Sequence, residues 1–97
     1  MTIGLVATLK VQADKADDFA KIFMELRAQV LANEKGCLQY DFFKSKANDG
    51  TFIVMEQYAT QADLDAHGKT EYFKAAGGKF GSMLAGAPGL VFADKVE

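Results

Sequence analysis

"CLQYDFFKSKANDGTFIVMEQY", residues 37–58, holds two alternating stretches around one turn. In the first, Leu38, Tyr40 and Phe42 share a face. In the second, Phe52, Val54, Glu56 and Tyr58 share one face, and Ile53, Met55 and Gln57 the other. A side-chain period of two marks extended chain. The intervening "SKANDG" ends in Asn-Asp-Gly, residue types that tolerate the positive φ of a tight turn. The stretch therefore reads as a hairpin of strands over 37–44 and 51–58. Both faces of the second strand are substantially apolar, whereas an antiparallel strand with one wet face alternates cleanly. Each side of this sheet should be covered.

Working outward, residues 13–36, "ADKADDFAKIFMELRAQVLANEKG", change period. Phe19, Phe23, Leu26 and Val30 form one stripe of an amphipathic helix expected from about Lys15 to Asn33. Asp14 is the expected N-cap, Asp17 and Asp18 complement the helix dipole, and Gly36 is the expected stop. Before it, "IGLVATLKV", residues 3–11, alternates as a strand. After the hairpin, Thr60 to Asp63 match a capping box that starts a helix at Gln61. Gly68 should interrupt it, with a second segment over 71–76 that Gly77 and Gly78 break again. "KFGSMLAG" reads as a last short turn before a final strand, "LVFADKV", residues 90–96.

The order is β-α-β-β-α-β. It defines an α+β, ferredoxin-like split βαβ fold over 1–97 as one domain, a four-stranded antiparallel sheet with its helices on one face. The other face is apolar and uncovered within one chain, so the expectation is a homodimer packed sheet to sheet.

Composition narrows the function. The net charge is −2 and no stretch concentrates Lys or Arg, which argues against nucleic acid as a partner. No apolar run approaches the ~18 residues of a membrane helix. "MTIGLVATLKVQ" has neither a basic leader nor a cleavage site, so no secretory signal is expected. Cys37 is the single cysteine and His67 the single histidine, too few for a usual zinc site. A reducing, cytoplasmic setting fits best. "GGKFGS", residues 77–82, lacks phosphate-loop spacing, and Cys37 reads as a small buried hydrophobe.

Glu56, Tyr58, His67 and Tyr72 carry the chemistry worth weighing. Glu56 and Tyr58 lie two apart on one strand face, where a charge among apolar neighbours must be paired or reached by water. His67 sits on the helix that would lie over that face, and Tyr72 on the next segment. Together they offer a base, phenols and a carboxyl over aromatic walls, and an imidazole near its usual pKa of roughly 6.5 suits proton transfer. The same residues are compatible with plainer roles: a capping or surface His67, a Glu56 paired with a lysine, core tyrosines with wet hydroxyls.

"EQYATQADLDAH", residues 56–67, followed by "KTEYFKA", resembles the signature of antibiotic biosynthesis monooxygenase domains, as does "NEKGCLQYDFF", residues 33–43. The resemblance spans nearly the whole chain. It implies a dimeric α+β barrel with a pocket between sheet and helices. It also implies oxygenation of a small phenolic, quinol or polyketide-like substrate by O₂ without flavin, haem or metal. By this resemblance His67, Tyr58 and Tyr72 would be catalytic, and Glu56, Phe23, Tyr40, Phe73 and Met83 would contact substrate. The sequence departs from the pattern where many members carry Trp, since it has Tyr58 there and no Trp anywhere. It also lacks the first-strand Asn of the haem-degrading branch, which makes haem degradation an unsuitable reading. "HGKTEYFK" and "SMLAGAP" are similar to a branch of isomerases acting on phosphorylated sugars, for which Lys69, Lys74 and Lys79 would form a basic rim. A non-catalytic binding protein of the same fold is the third reading.

Overall fold

The structure is a computed structural model that describes residues 1–96. Its strands are β1 (Ile3–Lys10), β2 (Cys37–Lys44), β3 (Thr51–Tyr58) and β4 (Gly89–Asp94). Its helices are α1 (Ala16–Asn33), α2 (Gln61–Gly68) and α3 (Glu71–Phe80), with one 3-10 turn, Ala13–Lys15, leading into α1. The strands form one antiparallel sheet in the order β2-β3-β1-β4, the split βαβ arrangement. The expected hairpin is present with Phe42 opposite Val54 and Phe43 opposite Ile53. Gly50 carries its turn at φ 77, and a Cβ there would stand 2.4 Å from the Val11 carbonyl oxygen, so both conformation and space demand glycine.

The helical stripe and the inner sheet face meet in an aromatic core. Phe19 lies 4.5 Å from Phe80 and 5.3 Å from Phe52 between ring centroids, and Phe23 stacks on Phe42 at 4.2 Å. Val30, Val54 and Tyr58 are fully buried around it. The outer sheet face remains open, with Val6, Phe43, Met55 and Val91 each substantially exposed.

Several local expectations are corrected. Asp14 does not cap α1: it lies inside the 3-10 turn, Lys15 takes the N-cap position, and no side chain bonds there. The first-turn Asp17 and Asp18 are left to complement the dipole. Gly36 is not the helix terminator, because Glu34 is the C-cap in an extended conformation. Gly36 serves close packing instead, since a Cβ there would lie 2.2 Å from the Asp63 carboxyl carbon. Gly77 and Gly78 do not break α3, which continues to Phe80. Two glycines cost a helix about 1 kcal/mol each. Burial of Ala76 and the contact of Phe80 with Phe19 offset that cost. β1 ends at Lys10, with Val11 bridging Leu84 alone, and β4 runs from Gly89 only to Asp94. No helix among the described residues is long and apolar enough to cross a membrane.

Candidate active site

The joint between α2 and α3 positions the site. Thr60 caps α2 as its spacing predicts, its hydroxyl accepting from the Asp63 backbone N–H at 3.2 Å and donating to the Asp63 carboxylate at 2.8 Å. The helix stops at Gly68, and Thr70 takes over as the cap of α3. Its hydroxyl accepts from the Phe73 N–H and donates to the His67 carbonyl at 2.9 Å. One threonine thereby fixes the relation of His67, in the last turn of α2, to Tyr72 and Phe73, in the first turn of α3.

Between these helices and the sheet lies a cavity of 420 Å³. Phe19, Phe23, Phe73 and Phe80 wall it with Leu64, and Leu90 and Phe92 of β4 border it. His67, Tyr40 and Glu56 are the polar side chains of its lining, with no lysine or arginine. Glu56 Oε1 accepts from the Tyr58 hydroxyl at 2.6 Å, and His67 Nδ1 is bonded to Glu34 at 2.9 Å. The remaining polar atoms, His67 Nε2, Tyr40 Oη and Glu56 Oε2, make no side-chain hydrogen bond among the described residues. Yet no unbonded side-chain nitrogen or oxygen there is sealed from solvent. These three atoms therefore border accessible space, and the cavity is the space their residues share. A cavity with apolar walls and a few convergent polar groups is the usual form of a small-molecule site.

Burial sets the protonation of these groups. It pushes the Glu56 carboxyl up to about 7, against the Tyr58 hydrogen bond, which favours the carboxylate. Burial holds His67 below its usual value, and the charge and hydrogen bond of Glu34 partly restore it. The imidazole is thus neutral at physiological pH, a more desolvated base than its sequence position suggests. Tyr40 and Tyr58 are raised far above the usual phenol range, first by burial and then by the Glu56 charge, so both act as donors. Burial likewise pushes the Cys37 thiol up to about 11, which keeps it from serving as a nucleophile.

The structure brings together His67, Glu56, Tyr40, Phe23 and Phe73 on the cavity. It places three other expected residues elsewhere. Tyr58 is sealed behind Glu56 and forms no part of the cavity lining, touching it through that hydrogen bond and through its ring contact with His67 at 5.4 Å. Tyr72 turns to a separate groove, where its hydroxyl donates to Glu34 Oε2 at 2.5 Å. Met83 packs against the core and forms no part of the cavity lining. Glu34 is a residue that the sequence pattern does not single out. Its signal is the Glu-x-Gly-Cys run itself, but its partners lie 33 and 38 residues away. No group of three metal-ligating side chains occurs among the described residues.

The fold and the site define a ferredoxin-like α+β domain with an apolar cavity that a buried histidine borders. The family model for antibiotic biosynthesis monooxygenases matches residues 2–79. The chain belongs to that family. It is similar to "Putative monooxygenase YcnE" of Bacillus subtilis, at 31% identity over 89% of this chain and 88% of that protein. It is also similar to "Uncharacterized protein sll1783" of Synechocystis, at 29% identity over 86% of this chain; the chain spans 56% of that relative's length. Among solved structures, one described as a "putative antibiotic biosynthesis monooxygenase" from Caulobacter crescentus shares 51% identity with a TM-score of 0.97, covering 99% of this chain and 91% of that one. A Nitrosomonas europaea structure at 20% identity and TM-score 0.93 shares the fold, covering 98% of this chain and 90% of its own.

Proposed function

We propose that this family member is a cofactor-independent monooxygenase acting on an uncharged hydroxylated arene, a quinol or a polyketide-like phenol. The observation that carries this reading is the neutral His67, whose unbonded Nε2 borders an apolar cavity beside Tyr40 and Glu56. Nε2 takes the phenolic proton, and the electron pair stays on the substrate oxygen. Apolar walls leave that anion poorly solvated and electron-rich. It transfers an electron to O₂, and the radical pair recombines at a ring carbon as a peroxide. Loss of water from the hydroperoxide leaves a quinone. The substrate gives up four electrons, two to the inserted oxygen and two to the oxygen released as water, so no external reductant enters. A protonated Glu56, a residue of the cavity lining, is suited to deliver the proton that the leaving oxygen needs. Tyr40 Oη is suited to hold the substrate oxygen.

The cavity argues against a phosphorylated carbonyl substrate, because Lys69, Lys74 and Lys79 all lie outside its lining. We further propose that two copies pair through the outer sheet face, covering Val6, Phe43, Met55 and Val91. A sedimentation mass of a single chain at micromolar concentration contradicts that pairing.

Oxygen uptake by chelator-treated, flavin-free protein tests the activity. Dihydroxynaphthalenes and related quinols should be consumed well above their uncatalysed rate, with one quinone formed per O₂. No uptake across the panel, together with an apolar ligand retained by the purified protein, points to binding without turnover.

A further inference from the structure

The cavity and the neighbouring groove have separate walls. The groove is bordered by Glu34, Cys37, Asp63, Thr70 and Tyr72, and it shares no lining residue with the cavity. Among the described residues one side chain–side chain hydrogen bond crosses between them. His67 belongs to the cavity wall, Glu34 to the groove wall, and Nδ1 lies 2.9 Å from Glu34 Oε1 and 3.1 Å from Oε2. The Glu34 side chain keeps 13% of its surface exposed against 4% for His67, so the carboxyl is the more solvent-accessible of the two partners. On the groove side Tyr72 donates to the same carboxyl, holding its second oxygen.

An ionised carboxylate only accepts hydrogen bonds. With Nδ1 as the donor to Glu34, Nε2 keeps a lone pair. The geometry points to Glu34 as the positioning residue of this site: it fixes His67 as the Nδ1–H tautomer, presents the Nε2 lone pair to the cavity, and pairs with the imidazolium when Nε2 takes a proton. In that step a substrate O–H bond breaks, an Nε2–H bond forms, and the positive ring stands against the carboxylate of Glu34 on its groove side. The titratable groups around the ring are Glu34 after α1, itself held by Tyr72 from α3, Tyr40 from β2, and Tyr58 with its partner Glu56 from β3. Of these, Glu34 alone bonds to it. Removing that charge lets burial dominate, and the ring should become harder to protonate.

This role rests on the reading of His67 as the base, but its test needs no substrate. The chain has one histidine, so nitrogen NMR of uniformly labelled protein reports two imidazole signals without assignment. The wild type at neutral pH should show a protonated Nδ1 and a bare Nε2. Glu34→Ala should shift the ring toward the Nε2–H tautomer and move its protonation midpoint lower. Tyr72→Phe, which leaves the Oε1 contact in place, should keep the wild-type tautomer and serves as the second variant if Glu34→Ala folds poorly. A protonated Nε2 with a bare Nδ1 in the wild type overturns the assignment, as does an unchanged tautomer and midpoint in folded Glu34→Ala. Failure to find oxygen uptake with any quinol would instead count against the oxygenase reading and leave the tautomer result standing.

Discussion

Strands β3 and β4 flank β1 in the same sheet, and both are rich in apolar residues, yet burial treats them oppositely. On β3, Phe52, Val54, Glu56 and Tyr58 all lie under the helices, with Val54 at 1% exposure. On β4 every residue is exposed, Leu90 at 53% and Phe92 at 59%. Position, not composition, makes the difference: β3 is central, whereas β4 is the edge that α1 and α3 leave uncovered. The polar groups of the site follow the same division. Glu56 and Tyr58 stand on the sealed strand, where desolvation moves their protonation, and β4 contributes only apolar atoms to the cavity border. The cavity thus has a sealed end, where Glu56 stands on β3, and an exposed apolar border at β4.

Substitutions on the two strands and on the helices over them can break this contrast. The largest effect is expected at the sealed end's core, where Phe19→Ala should cost about 3–5 kcal/mol by chemical denaturation. A loss below about 1 kcal/mol would mean that the core there collapses around the gap.

Glu56→Gln should change stability in a pH-dependent way. The native carboxyl titrates at about 7 against 4.5 for an unperturbed one, so between these values the native state binds more protons than the unfolded state and stability falls as pH rises. The shift corresponds to a cost on the order of 3 kcal/mol above neutrality, reduced by whatever the exposed part of the residue recovers from solvent. Denaturation of Glu56→Gln relative to wild type should therefore show little difference near pH 4 and a stabilised variant at pH 8. In Tyr58→Phe, loss of the hydrogen bond that favours the carboxylate should move the Glu56 midpoint above 7, readable in carboxyl carbon NMR.

Gly77→Ala sharpens the contrast from the cavity wall. Nothing lies within 4 Å of the Cβ it would add, and Gly77 borders the cavity. The variant should gain about 1 kcal/mol from helix propensity while weakening binding of the bulkier ligands. The smallest effect is expected on β4, where Phe92→Ala should change the stability of one protomer by about 0.5 kcal/mol or less. A larger loss, scaling with protein concentration, would place Phe92 in contact with a second copy.

How much of this was readable from the chain depends on the range of the interaction. The hairpin, the Phe19-to-Val30 stripe and the Thr60 cap are local patterns, and each appears where its period or spacing puts it. Gly77 and Gly78 misled because intrinsic helix propensity was outweighed by the contact of Phe80 with Phe19, a partner 61 positions earlier in sequence. Asp14 misled because a 3-10 turn moved the cap by one residue. At the site, the period-two rule put Glu56 beside Tyr58, and helix spacing put His67 over them. It could not say which way Tyr72 turned, nor that Glu34, one residue past the end of α1, would receive both His67 and Tyr72. Those contacts depend on how α2 and α3 swing at Gly68, which no periodicity encodes.

The central claim is that His67 works as a base through its cavity-facing nitrogen. Steady-state oxygen uptake by folded His67→Ala, measured beside the wild type on the best quinol of the panel, tests it most directly. The account predicts a fall in kcat/KM on the order of 10²–10⁴ with the far-ultraviolet spectrum unchanged. Uptake at the wild-type rate would contradict it and would leave the buried imidazole a structural partner of Glu34.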